Sequence, residues 1–249
     1  MITDAFDNTT EEIIRPSHRT DIIEGFPEIV LVAFSERLLN ILLSGGKTEA
    51  ISSMHAGTDI PVYKTEYRGK TAAFYLTWVG GPATVGLLEE IIAKGGRKIL
   101  LFGACGSLDH TITDGHIIVP TAAYRDEGTS YHYAPASDFI EVRTAERLLK
   151  IFSELEIPAI GGKTWTTDAF YRETRKNMEL RKKAGCIAVE MECASVMALA
   201  DFRGVDIYQF LYTADNLDCA EWESRLLWNM PDDLNEKIVR IALEVAVRM

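Results

Sequence analysis

Two carboxylates flank a single methionine at Glu190-Met191-Glu192, directly behind the apolar run 186–189. Acids so placed at the end of a buried strand face one crevice, and ionised carboxylates are acceptor-only partners for vicinal hydroxyls such as those of a ribose. An anion there also favours positive charge developing at a glycosidic carbon, more in the transition state than in the ground state. The same spacing suits a helix start with acids near its positive end. Asp215 follows a second apolar run, 207–214. Burial would raise its pKa and let it act as a proton donor; the plainer reading is a turn aspartate beside Asn216. Phe170 and Tyr171, just after Asp168, can stack on a planar ring or simply pack. The loop Gly103-Ala104-Cys105-Gly106 either lets backbone approach a ligand closely or makes a tight turn.

Other chemistries lack their residues. There is no GxGxxG dinucleotide fingerprint and no GxSxG elbow, and Cys105 has no histidine partner in sequence, so it reads as inert. The four cysteines form no CxxC pair, and the five histidines are scattered, so no metal or organic cofactor is expected. A net charge of -11 argues against a nucleic-acid partner. It leaves room for a small anion held by one or two arginines. The polar, acidic N-terminus is not a signal peptide, and no apolar run approaches the ~20 residues that span a bilayer. A cytoplasmic protein with no membrane partner is the expectation.

These residues must be positioned by strands and helices, and the chain alternates them. Apolar runs predict strands at 28–34, 60–67, 70–78, 98–102, 116–123, 158–166, 187–189 and 206–213. Helical spacing predicts helices at 36–43, 83–95, 144–155, 173–184, 192–203 and 234–247. Arg68-Gly69 marks a hairpin turn, and 125–143 is a long connection without a clear pattern. Residues 1–27 read as a polar leader segment, and 28–249 as one three-layer α/β/α domain around a central mixed, mostly parallel sheet. In such sheets ligands sit beyond the carboxyl ends of the strands, where 33–37, 103–107, 168–171, 190–192 and 215–216 all fall.

Taken together, these segments resemble the nucleoside phosphorylase superfamily, which includes uridine phosphorylase, hexameric purine nucleoside phosphorylase and methylthioadenosine nucleosidase. The resemblance rests on VGGPATVGLLEEI, FGACGSL, GHIIVPTAAYRDEGTSYHYAP, TTDAFY, and AVEMECASVMALA followed by TAD, and runs over residues 28–216. It implies that Glu192 binds the sugar hydroxyls, that Glu190 and Met191 complete the ribose site, and that Phe170, Tyr171, Cys105 and Gly106 border the base. Asp215 matches the acid that protonates the base in purine-cleaving members, which favours a purine-like nucleoside over uridine. Arg225 is a candidate basic residue beyond that acid, and His18 a candidate lent by a neighbouring subunit. Arg37 matches a phosphate-binding arginine. Inorganic phosphate would be the co-substrate and a homo-oligomer, dimer or hexamer, the assembly.

The phosphate end departs from the family pattern. Ala33 stands for a glycine, Leu101 for a second arginine and Ala104 for a hydroxyl residue. Hydrolytic relatives carry a glutamate in the first-strand loop, and Glu36 is one position away from it. Phosphorolysis by Asp215 and Glu192 is the leading reading. A water-using nucleosidase and a non-catalytic nucleoside-binding protein are the alternatives. Trp222 and Trp228 are read as core packing ahead of interface anchors.

Overall fold

Continuous apolar runs become interior strands, and their pairing sets the layout. The computed structural model describes residues 1–249. Strand β1 (Ile29–Ala33) is buried at every position and lies parallel between β4 (Lys70–Leu76) and β5 (Lys98–Ser107). A parallel strand covered on both faces has no solvent side, so its sequence need not alternate. Strand β10 (Asp206–Asn216) runs parallel to the other side of β5. Strands β6 (Ile117–Asp126), β8 (Ala159–Thr167) and β9 (Cys186–Glu190) form a second parallel set. Antiparallel contacts of β10 with β6 and of β9 with β5 join the two sets, so five strands close into a ring. Beyond β4 the sheet ends in the antiparallel strands β3 (Asp59–Tyr67) and β2 (Glu49–His55), and β7 (Phe139–Glu141) adds to β6. The sheet is mixed, as expected.

Helices cover it in packed pairs. Helix α1 (Glu36–Ser44) lies on α6 (Asp232–Ala246), and α2 (Gly81–Lys94) on α5 (Cys193–Arg203). Helix α3 (Ala145–Glu154) packs on β6 and β8, and α4 (Arg175–Lys183) on β9. The α2–α5 contact depends on a missing side chain: a Cβ at Gly81 would sit 2.2 Å from Ser195 Oγ. The interior is aromatic at its centre, where Phe102 stacks on Phe210 at 5.7 Å and Phe152 meets Phe210 edge-on. No helix is long and apolar enough to cross a membrane.

Several boundaries differ from the sequence reading. Strand β5 runs through residues 103–107, where a loop was expected, because these residues pair with Leu211–Asn216 of β10. Strand β2 was not expected, since only Met54 in it is buried and no alternation marks it. Strand β7 lies inside the connection 125–143. Residues 1–27 run along α2 with two short 3-10 turns, where Ile23 N donates to Lys94 O at 3.2 Å and Arg203 pairs with Glu12.

Candidate active site

The ring brings the chemistry into one row. Register pairs Asp215 with Gly106, Gly106 with Val189, and Glu190 with Thr166. A cleft of about 900 Å³ opens beside this row, bordered by Ser35, Arg37, Phe170, Met191, Glu192 and Asp215 among others. Eighteen of its 29 bordering residues are hydrophobic, so the few charged groups in it act in a weakly screened setting.

Gly106 is required where it stands. A Cβ there would fall 2.6 Å from the Leu217 side chain and 3.0 Å from that of Val189. Its bare backbone therefore forms a smooth wall next to Asp215, whose Oδ1 would be 3.2 Å from that Cβ. Asp215 Oδ2 accepts a 2.7 Å hydrogen bond from Trp222 Nε1. Burial raises the Asp215 pKa, while the Trp222 bond and the Arg225 charge pull it down. Burial dominates, so the Asp215 carboxyl lies above the ordinary aspartate range.

The two glutamates of the Glu-Met-Glu segment have different roles. Glu190 Oε2 accepts from the backbone N–H of Glu192 (2.8 Å) and of Cys193 (2.6 Å), and its Oε1 accepts from Thr164 and Thr166. It caps the start of α5, as the helix-start reading allowed, and has few lone pairs left for a ligand. Glu192 accepts from Gly80 N, at 2.6 Å through Oε1. Its carboxyl is deeply buried, which together with the nearby Glu190 charge pushes its pKa up to about 8. Gly80 holds φ at 99°, a backbone form that favours glycine and aims its N–H at Glu192.

The aromatic wall is open. Phe170 is 50% and Tyr171 88% exposed, with ring centroids 4.0 Å apart, on the turn that leads from β8 to α4. Trp222 (55%) and Trp228 (67%) also border the cleft, so the expected core packing of both is corrected. They lie in the long connection from β10 to α6, which runs over the rim and not through the core. Cys105 is buried and its thiol is pushed well up by burial and by Asp215, which leaves it a poor nucleophile.

Arg37 is exposed at the other end, with its backbone N–H capped by Ser35 Oγ at 3.2 Å and Nη1 donating to Met230 O at 3.3 Å. Asn235 holds the same carbonyl at 3.2 Å. Leu101 is fully buried in the core, while Phe34 turns its ring toward Gly103. Two candidates stay outside the cleft of their own chain. Arg225 is held by Asp114, Glu223 and the Ile112 carbonyl, and reaches Asp215 only through its charge. His18 lies exposed in the leader against α2.

Two residues of the cleft carried no sequence signal. Trp222 is the hydrogen-bond partner of Asp215 although seven positions away, and Glu173 brings a further carboxyl into the cleft. Neither follows a motif or a strand end. Asp109, His110 and Asp218 have ligand atoms within 4.8 Å of one another but lie outside the cleft border, where Lys182 pairs with Asp218.

A profile of the phosphorylase superfamily matches residues 28–245. The chain belongs to that superfamily. Among its relatives, the DeoD-type purine nucleoside phosphorylase of Caldanaerobacter subterraneus is 30% identical over 189 residues, spanning 72% of this chain and 78% of the relative. Two solved structures share the fold. The Toxoplasma gondii purine nucleoside phosphorylase bound to immucillin-H superposes with a TM-score of 0.76 at 21% identity, over 90% of this chain and 93% of that one. The Vibrio fischeri uridine phosphorylase does so with 0.75 at 20% identity, over 96% and 100%. This superfamily member is thus an enzyme of the nucleoside phosphorylase type, and its cleft coincides with the strand ends at which the sequence placed the site.

Proposed function

We propose that this phosphorylase superfamily member cleaves a purine-like ribonucleoside by phosphorolysis. The observation that carries the reading is the pairing, in one apolar cleft, of a protonatable acid at Asp215 with a hydroxyl acceptor at Glu192. The base lies against Gly106 and Phe170, and Asp215 donates its proton to the departing ring nitrogen. The C1′–N bond breaks toward an oxocarbenium-like sugar, which Glu192 holds in place through the 2′ and 3′ hydroxyls. Met191 packs under the ribose. A phosphate oxygen held by Arg37 then bonds to C1′, giving free base and ribose 1-phosphate with no cofactor. The enzyme is proposed to be cytoplasmic and to act as a homo-oligomer, with His18 lent to a neighbouring cleft. Ile13 and Ile14, exposed in the leader, support such an assembly.

One observation favours water as the acceptor instead: Arg37 already bonds the Met230 carbonyl, and Ala33, Leu101 and Ala104 offer no side-chain donors. Base release from a panel of nucleosides, measured by chromatography with and without phosphate, separates the two. Phosphate-dependent release with ribose 1-phosphate is expected. Release of free ribose at a rate indifferent to phosphate would replace phosphorolysis by hydrolysis.

A further inference from the structure

Four buried polar side chains that do not border the cleft, Arg125, Glu127, Ser130 and Ser195, link the end of β6 to the start of α5. They form a chain of hydrogen bonds. Arg125 Nε donates to Ser130 Oγ at 2.8 Å, and Ser130 Oγ donates on to Glu127 Oε1. Glu127 Oε2 accepts from Ser130 N at 2.9 Å and from Ser195 Oγ at 2.6 Å. Arg125 is itself fixed by the Pro135 and Ala134 carbonyls and by Ser137 Oγ, and it lies 4.0 Å over the Tyr131 ring. A carboxylate withdrawn from water needs such partners, and Glu127 has three donors and a guanidinium within electrostatic reach.

This chain ends beside the sugar acceptor. Ser195 stands three residues beyond Glu192, on the first turn of α5. The first turn of α2 packs on the same hydroxyl that Glu127 holds. A Cβ on Gly81 would fall 2.2 Å from Ser195 Oγ and 3.4 Å from Thr129 Oγ1. The preceding residue, Gly80, is the one whose N–H reaches Glu192 Oε1 at 2.6 Å. Two stops therefore set how Gly80 meets Glu192. Within α2, Thr84 N donates to Gly80 O at 3.1 Å and Thr84 Oγ1 to Trp78 O at 3.0 Å. From α5, the stop is Ser195, whose hydroxyl would turn among its staggered positions without the Glu127 carboxylate.

We propose that Glu127, acting through Ser195, is a positioning residue for Glu192: it fixes the approach of the Gly80 amide and so aims the Glu192 carboxyl at the sugar hydroxyls. The proposal rests on the nucleoside-cleaving reading of the cleft. Glu127 and Ser195 touch no substrate themselves. Their loss costs orientation and leaves the Glu192 carboxyl in place.

The test is kcat/KM for inosine with phosphate in wild type, S195A, E127Q, E192A and S195A/E192A. Binding of inosine and of 2′,3′-dideoxyinosine without phosphate is followed by tryptophan fluorescence, since Trp222 and Trp228 border the cleft. Thermal melting establishes that each variant is folded, and S195A carries the test where E127Q does not fold. S195A and E127Q are each expected to lower inosine kcat/KM about tenfold, the scale of one hydrogen bond to a charged group. In the E192A background S195A is expected to change kcat/KM by less than about twofold, because the carboxyl it serves is gone. S195A is expected to weaken inosine binding and to leave dideoxyinosine, which lacks both hydroxyls, as in wild type. A S195A loss of equal size with and without Glu192, equal weakening of both ligands, or wild-type behaviour of S195A overturns the positioning role and leaves the proposed reaction standing. Absence of cleavage of any nucleoside overturns the proposed reaction, and binding then decides on Ser195. Selective weakening of inosine in S195A upholds positioning, and equal or absent binding rejects it.

Discussion

The two ends of the cleft are built to different standards. At the base and sugar end, every polar side chain is placed by strands of the closed ring or by the residues that follow them. Asp215 and Gly106 face each other in register, Glu190 braces the start of α5, and Glu192 is reached by the Gly80 amide. At the acceptor end, one exposed arginine on the first turn of α1 leans on a carbonyl near α6. Bond breaking at C1′ needs charge stabilisation fixed in advance, because reorganising dipoles during the reaction forfeits the gain. Binding a mobile dianion tolerates a looser frame. Under the proposed reaction, the contrast places most of the preorganised polar groups at the leaving-group side.

The strongest way to break that comparison is D215N. It keeps the Trp222 contact geometry but removes the proton donor, so kcat for purine nucleosides is expected to fall roughly 10²- to 10⁴-fold. A variant that keeps its kcat would remove Asp215 from the chemistry. E192Q comes next, with a loss of about 10² in kcat/KM from the missing carboxyl beneath the sugar hydroxyls. It also has a stability signature. Because the folded Glu192 pKa of about 8 is raised, its favourable contribution is complete below the ordinary glutamate range and is lost as pH rises toward 8. The wild-type Tm should therefore decline between about pH 5 and 8, and E192Q should decline less. A steeper fall in the variant would contradict the buried, protonated state.

R37A probes the weaker end. The phosphate KM is expected to rise about tenfold while nucleoside binding without phosphate is unchanged, as loss of a charge-assisted contact at an exposed site predicts. If R37A and wild type respond identically to phosphate, the acceptor end holds no anion. The smallest effect belongs to W222F. Its missing N–H no longer stabilises the Asp215 carboxylate, so the Asp215 pKa rises and the alkaline limb of the pH–rate profile moves upward. A downward movement would mean that Trp222 favours the protonated acid.

Much of this site was legible because strand ends are legible. The runs ending near Ala33, Phe102, Val189 and Ala214 are apolar for a reason that acts locally, burial on both faces, and the polar residues just past them had to converge. What stayed hidden depends on pairing across the chain. Residues 103–107 look like a glycine loop, and they are strand because β10 lies beside them. Glu190 and Glu192 are equivalent by spacing and differ only in which backbone amides each meets. Arg225 has the composition of a ligand-binding residue, yet Asp114 and Glu223 hold it outside the cleft. Glu173 belongs to a charged stretch that reads as a solvated helix face, yet it borders the same cleft as Asp215 and Leu217, far away in sequence.

The closed ring of β5, β10, β6, β8 and β9 has a consequence for the tempo of the reaction. A sheet with a free edge can open by peeling, but each strand of a ring is held on both sides, so Asp215, Gly106 and Glu190 keep their spacing whether or not a substrate is present. Passage of molecules in and out must then use the segments that hang outside the ring, the turn at Phe170 and the span carrying Trp222 and Trp228. The cleft is thus framed on one side by a hoop with no free edge and on the other by exposed aromatic segments through which a ligand would pass.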